Sequence, residues 1–282
     1  MTNHYLDIRP PIALAHRGGW LTDTEGPPGR DALLLENTLP AFRNAVELGY
    51  QYLETDIHAS RDGVAMAFHD ATLDRVTDRD GAIAELDYAE IRRARVGGRE
   101  TVPSLEELLD AWPRVRLNID IKDDRAVEPL ARALRRTRSW RRVCVGSFSQ
   151  ARLERARRIL DRPVCMSAGP VDVARIRVGA WSRALSLLVR RGVGCVQIPR
   201  HIRGFPLLTR DLIRTAHRHG MQVHVWTVNE ASTMHRLLDA GVDGIVTDNT
   251  VALRRVLTER GQWPGTAVPS THSTGRTNDG PP

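Results

Sequence analysis

Lysine is almost missing from this 282-residue sequence: among 41 Lys and Arg residues only Lys122 is a lysine. Long apolar runs are missing too, and without a stretch of roughly 20 apolar residues no membrane-spanning helix is expected. The first residues, MTNHYLDIRPP, lack a basic segment followed by an apolar stretch and a small-residue cleavage site, so no secretory signal is read and a cytoplasmic location is expected. Cysteine is sparse. Cys144, Cys165 and Cys195 are odd in number and widely spaced, which offers no zinc or disulfide framework, and each sits in a short apolar run like a small buried hydrophobe. Aromatics make up only 5% of the chain. The net charge of +7 raises nucleic acid as a partner. The arginine pairs are scattered over separate expected helices without interleaved aromatics, so a solvated helix surface is the preferred reading and no nucleic acid is expected.

What the sequence has is alternation. Short apolar runs and amphipathic stretches succeed one another from residue 12 to about 258, the signature of repeated βα units around a parallel sheet. One barrel of roughly 250 residues would use most of the chain. The expected architecture is α/β, a TIM (β/α)8 barrel over residues 1–260, with 261–282 as a disordered tail rich in Gly, Pro, Ser and Thr. Nine candidate strands leave one surplus. The irregularity is expected at Ala59 to Gly63, a connection too short for a crossover helix and marked by the turn pair Asp62-Gly63. Helices are expected at Val173 to Arg190, among seven others. Two polar insertions, Gly19 to Asn37 and Ala71 to Pro103, break the rhythm, the second being a small insertion after the His69-Asp70 strand. Both follow strands, on the face where barrel enzymes carry their active-site loops.

Chemistry-bearing residues collect at the strand ends. The first strand ends His16-Arg17-Gly18-Gly19. The second ends Glu54-Thr55-Asp56-Ile57-His58, and because strand side chains alternate, Glu54 and Asp56 face the same side. Two inward carboxylates need a counter-charge, either a hard divalent cation or a pairing with an arginine such as Arg17. The strand around Asn118, Asp120 and Lys122 repeats the device, and His69-Asp70 ends another. The lone lysine suggests a compact, pKa-tunable charge at this position. A purely structural reading would have to explain each of these as coincidence.

His16-Arg17-Gly18, Glu36-Asn37-Thr38, Glu54-x-Asp56, His69-Asp70, Asp120-x-Lys122, Ser147-Phe148, Trp226-Thr227-Val228-Asn229 and the closing Gly241 to Asp248 run resemble the ordered motifs of glycerophosphodiester phosphodiesterases. Two positions depart from that pattern: the family commonly has Glu where Asp120 stands, which bears on metal reach, and Pro where Leu35 stands. The resemblance implies metal-dependent hydrolysis of glycerophosphodiesters to an alcohol and sn-glycerol 3-phosphate. It implies that Glu54, Asp56 and Asp120 hold one divalent ion, Mg²⁺ or Ca²⁺, with His16 and His69 as general acid and base. Arg17 and Lys122 would share the substrate's charge, Glu36 would orient His16 or contact the ligand, and Trp226 would wall the alcohol. Ser147 and Gln197 are weaker candidates.

Two rival functions stand beside this one. A lysophospholipase D or sphingomyelinase-D-like enzyme would want an apolar rim, for which Leu33-Leu34-Leu35 is the sequence hint; a non-catalytic barrel could bind a phosphate-bearing ligand. The expected partner is a small phosphodiester, with no stable membrane insertion, and oligomeric state leaves no signature.

Overall fold

The structure is a computed structural model that describes residues 4–22, 29, 35–182, 185, 187–190 and 192–264. Eight parallel strands build the barrel: β1 (Ile12–His16), β2 (Tyr52–Ala59), β3 (Arg116–Ile121), β4 (Val143–Gly146), β5 (Cys165–Met166), β6 (Cys195–Pro199), β7 (Gln222–Trp226) and β8 (Gly244–Thr247). Helices follow them at Leu39–Glu47, Leu105–Ala111, Val127–Thr137, Gln150–Ile159, Pro170–Gly179, Arg210–Arg218, Ala231–Asp239 and Thr250–Glu259. Hydrogen bonding runs β5-β4-β3-β2-β1-β8-β7-β6. The circle closes between β5 and β6 through the Ser167–Cys195 bridge, where Ala168 N donates to Cys195 O at 2.8 Å and Gly194 N to Met166 O at 3.0 Å.

Alternation decides what each strand contributes. Along β2, Leu53 and Ile57 join the main core with Phe42 and Leu105 from the surrounding helices, leaving Glu54 and Asp56 to point inward. The helices start where side chains satisfy their free N–H groups. Thr38, Ser149, Thr209 and Asn249 each accept a bond from the first turn, and Ser104 with Glu107 forms a full capping box.

The surplus ninth strand is Ala65–Ala67, which folds back antiparallel on the end of β2 in the register Ile57 to Ala67. Gly63 supplies the left-handed turn that allows it, at φ 83°. The insertion that follows buries a small core of its own, with Met66, Phe68, Leu73, Ile83, Ile91 and Val102. The helix expected to reach Arg190 spans only Pro170–Gly179. Pro170 at its first position sets the start, and the apolar spacing beyond Gly179, which mimics a continued helix, does not extend it. Packing continues past Gly261: Trp263 lies edge-on to Tyr50 with ring centroids 5.2 Å apart, and its N donates to Leu257 O at 3.1 Å. Residues 265–282, within the expected tail, lie outside the described residues. Among the described residues no helix is long and apolar enough to cross a membrane.

Inside the barrel, Tyr5 closes the lower end, edge-on to Tyr52 at 5.1 Å, and Tyr52 Oη donates to Tyr5 O at 2.7 Å. Cys144, Cys165 and Cys195, far apart in sequence, meet in this same apolar cluster. Gln197 and His224 add buried polar contacts: Gln197 Nε2 donates to Asn118 Oδ1 at 3.0 Å, and His224 lies within 3.3 Å of Gln197 and 3.1 Å of Gln222. Burial drives the His224 pKa down to about 3, so this imidazole stays neutral.

The turn after β1 is tightly fitted. Gly18 has φ +90°, and a Cβ there would stand 2.8 Å from Ala41 Cβ and 2.9 Å from the Ala41 and Phe42 backbone. We expect Gly18→Ala to cost at least ~2 kcal/mol, since left-handed strain adds to a clash with backbone that cannot swing away. Urea unfolding checks this; an unchanged midpoint would show that the fit is not rigid.

Candidate active site

A cavity of about 430 Å³ opens at the upper strand ends. It gathers His16, Arg17, Glu54, Asp56, His69, Asp120, Lys122 and Trp226 from the sequence reading, with the weaker candidates Ser147 and Gln197.

The His16 loop is held in an unusual backbone conformation. Arg17 and Asn37 both take positive φ, 52° and 57°, and they brace each other, with Asn37 N donating to Arg17 O at 2.8 Å. Arg17 N donates to Glu54 Oε2 at 3.1 Å, and Thr55 Oγ1 donates to Asn37 Oδ1 at 2.7 Å. Left-handed non-glycine residues cost energy and persist only where the surroundings over-determine them, as these bonds do.

Each cavity histidine is anchored through Nδ1 by a carboxylate. His16 Nδ1 lies 2.6 Å from Asp248 Oδ1, and His69 Nδ1 lies 2.6 Å from Asp70 Oδ1. This arrangement fixes the tautomer and leaves Nε2 for chemistry. Asp248 is itself held by Asn229, whose Nδ2 donates to Asp248 Oδ2 at 2.9 Å while its Oδ1 accepts from Asp248 N at 2.9 Å. His16 Nε2 stands 3.8 Å from Glu54 Oε2. Burial pulls the His16 pKa down, but Glu54 and Asp248 outweigh it and leave it raised. Burial alone would raise Asp70, yet the bonds from Arg75 and His69 bring its pKa down to about 2. His58, the further residue on β2, donates from Nε2 to His69 O at 3.0 Å and so pins the backbone of the second histidine.

The three carboxylates occupy the same cavity with side-chain cations among them. Lys122 Nζ bridges Asp56 Oδ1 at 2.8 Å and Asp120 Oδ2 at 2.7 Å, and Arg17 Nε is 3.1 Å from Asp56 Oδ2. Burial would raise Asp56, but Lys122 and Arg17 hold it below its ordinary value. At Asp120 burial wins over Lys122 and the pKa is raised. Glu54, buried and facing Asp56, is pushed up to about 7. The oxygens of Glu54, Asp56 and Asp120 do not form a set of three within 4.8 Å of one another; among the described residues only the three cysteines make a cluster that tight.

Glu36 sits outside the cavity lining and makes no bond to His16. It instead receives Arg17 Nη1 at 3.1 Å and Arg75 Nη2 at 2.5 Å, tying the His16 loop to the insertion. Trp226 pairs edge-on with Phe148, ring centroids 5.6 Å apart, and Lys122 Nζ lies 5.5 Å from the Phe148 ring centroid. Leu33 and Leu34 lie outside the described residues, and Leu35 is buried. An apolar rim stands elsewhere: exposed Phe148 and Ile202 line the cavity, and exposed Phe205 pairs with Ile202.

Three site residues escaped sequence reasoning. Asp248 carried a usable signal, an acid directly after a strand like those that singled out Glu54 and Asp56, and Asn229 ends a quoted motif. Arg75, which reaches both Asp70 and Glu36, sits in the insertion with no local pattern to mark it.

Comparison with known proteins identifies relatives of this chain. The sequence profile of the "Glycerophosphoryl diester phosphodiesterase family" matches residues 26–252. A protein of Mycobacterium tuberculosis named "Probable glycerophosphodiester phosphodiesterase 2" is 41% identical over 261 residues, covering 90% of this chain and 93% of its own. "Lysophospholipase D GDPD1" of Rattus norvegicus is 25% identical over 260 residues, covering 79% of this chain and 82% of its own. The structure of an Oleispira antarctica phosphodiesterase "in complex with the product sn-glycerol-3-phosphate" shares the fold, with TM-score 0.69 at 21% identity, covering 88% of this chain and 97% of that one. From the profile match and the 41% relative, the chain belongs to the glycerophosphoryl diester phosphodiesterase family.

Proposed function

We propose that this cavity hydrolyses glycerophosphodiesters to an alcohol and sn-glycerol 3-phosphate, with His16 and His69 dividing the two proton transfers. The observation that carries this reading is the pair of carboxylate-anchored imidazoles facing one cavity, each with Nδ1 committed at 2.6 Å. Breaking a P–O bond needs a proton removed from the attacking hydroxyl and one given to the leaving alkoxide. Two imidazoles, each oriented by a carboxylate, suit both tasks. Arg17 and Lys122 offer fixed positive charge to the phosphate oxygens, where phosphoryl transfer asks mainly for position and electrostatic stabilisation. The product named in the Oleispira antarctica complex supports glycerol 3-phosphate as the fragment released.

Glu54, Asp56 and Asp120 would hold one divalent ion, Mg²⁺ or Ca²⁺. Two features fit a hard cation there: Asp56 Oδ2 is buried with an ion pair to Arg17 but no hydrogen bond, and burial together with the Asp56 charge pushes Glu54 up to about 7. Such an ion, when bound, would act as a Lewis acid on a phosphate oxygen.

The rim of Phe148, Ile202 and Phe205 favours a second reading, in which the alcohol side of the cavity accepts a monoacyl substrate. The rat relative's name, lysophospholipase D, supports it. Parallel rates on glycerophosphocholine and lysophosphatidylcholine separate the two.

Replacing His16 or His69 by Ala is expected to lower kcat/KM by about 10²–10⁴, the usual worth of a positioned acid or base, with the fold intact by circular dichroism. Near-normal turnover in either variant would remove that histidine from the chemistry. Asp248→Asn should cut turnover less severely and move the His16 limb of the pH–rate profile to lower pH, because the neutral amide no longer raises the imidazole. A limb that stays in place would leave Asp248 with a packing role alone.

Glu54 gives a test of the ion that does not depend on activity. Its folded pKa of about 7 lies above the ordinary 4.5. The ion-free folded state therefore binds the extra proton, and stability falls as pH climbs through that window. Ion-free Glu54→Gln should melt above the parent at pH 8, each kcal/mol being worth roughly 2–4 °C at this size, and the gap should close near pH 4. Saturating Mg²⁺ or Ca²⁺ should reverse the order by stabilising only the parent. If neither ion changes the parent's melting, the carboxylate ion site is wrong.

A further inference from the structure

Directly beneath the catalytic cavity lies a layer of sulfur. Cys144, Cys165 and Cys195 stand two residues before Gly146, Ser167 and Gln197 on β4, β5 and the start of β6, so each is the next side chain down from a residue that lines the cavity. Their sulfur atoms lie within 4.8 Å of one another, and Cys144 and Cys195 approach to 3.7 Å. They are all the cysteines the chain has, and each is at most 5% exposed. Strand register brings the three positions into one layer, Cys144 opposite Cys165 and Cys195 beside the Ser167 bridge, and at each of the three the side chain is a sulfur.

We propose that this floor is a three-sulfur binding site for Cu(I). Polarisable thiolates select soft ions of this kind, whereas the carboxylate oxygens above suit hard ones. Three sulfurs about 2.3 Å from a shared centre stand ~4 Å apart in a plane, close to the 3.7 Å between Cys144 and Cys195 and inside the 4.8 Å that encloses all three. Zinc prefers four ligands, and among the described residues no His, Asp or Glu atom joins the sulfur set. The remaining walls are Tyr5, Ile12, Leu14, Tyr52 and Val246, which present an apolar, water-poor shell. Burial holds the Cys144 thiol far above its usual range, so this sulfur is a neutral thiol before an ion binds. Binding then replaces S–H bonds by S–Cu bonds and releases the thiol protons to solvent; copper stays Cu(I) and no electron is transferred.

The test is an anaerobic Cu(I) titration of the whole chain against a competing Cu(I) chelator. It is run on the folded protein and again on protein refolded with the ion, because Tyr5 covers the floor from below. One Cu(I) per chain is expected, with a sulfur-to-copper charge-transfer band in the ultraviolet and a higher melting temperature. Apparent affinity should climb at least about tenfold per pH unit as thiol protons are displaced. Cys144→Ala, Cys165→Ala and Cys195→Ala should each weaken binding by more than the ~10–100-fold that loss of an outer-shell partner costs, with circular dichroism and phosphodiester turnover retained. Where an alanine variant fails to fold, the serine variant at that position is read instead. The proposal falls if neither protocol yields binding, if binding survives Cys165→Ala, or if Zn²⁺ binds the cysteines as tightly as Cu(I).

Discussion

Everything at the barrel mouth answers to one constraint, the cost of crowding carboxylates away from water. Glu54, Asp56 and Asp120 stand on adjacent strands, and left alone they would repel one another and shed their charge. Lys122 takes up part of that cost by reaching Asp56 and Asp120 at once, and Arg17 takes up another part from the opposite side of Asp56. Glu54 has the Arg17 backbone N–H at 3.1 Å and His16 Nε2 at 3.8 Å, and burial together with the Asp56 charge still raises its pKa. A guanidinium is broad and planar, whereas an ammonium is compact, which gives a physical reason for the single lysine of an arginine-rich chain to stand between two acids.

The same economy extends outward. Asp70, Arg75, Glu36 and Arg17 form an unbroken series of ion pairs from one histidine's anchor to the loop of the other. The insertion after the Ala65–Ala67 strand is therefore part of the site, since its small core presents Arg75 to both Asp70 and Glu36. Asn229 does the corresponding task for Asp248 with two uncharged bonds. Both imidazoles thus face the cavity with rotation about their rings already restricted.

Much of this could be read before any coordinates. Period-two alternation made Glu54 and Asp56 share a face, and the βα rhythm located all eight barrel strands and their order of helices. Those features depend on local sequence alone. What escaped depends on closure of the barrel. Asp248 and His16 are separated by 232 positions yet bond because β8 lies beside β1, a neighbour relation that no window of sequence contains. Arg75 escaped because it lies in an irregular insertion whose folding brings Glu36, 39 positions away, beside the nearby Asp70. The overlong helix at Val173 to Arg190 shows the reverse error: apolar spacing suggested one continuous helix, whereas the helix that begins at Pro170 ends at Gly179.

The barrel is not equally well sewn all round. β2 and β3 pair over six residues, while β5 is two residues long and meets β6 through an isolated bridge. Fewer backbone bonds mean a smaller free energy of local opening, so this seam is the compliant part of the wall. His16, Glu54 and Asp120 stand on the well-stitched arc, whereas Ser167 and Ile198, which also line the cavity, flank the loose seam. The molecule is stiff where His16, Glu54 and Asp120 hold their fixed separations and yielding on another side of the same cavity, a division under which contents of different bulk can be accommodated without disturbing the histidine and carboxylate cluster.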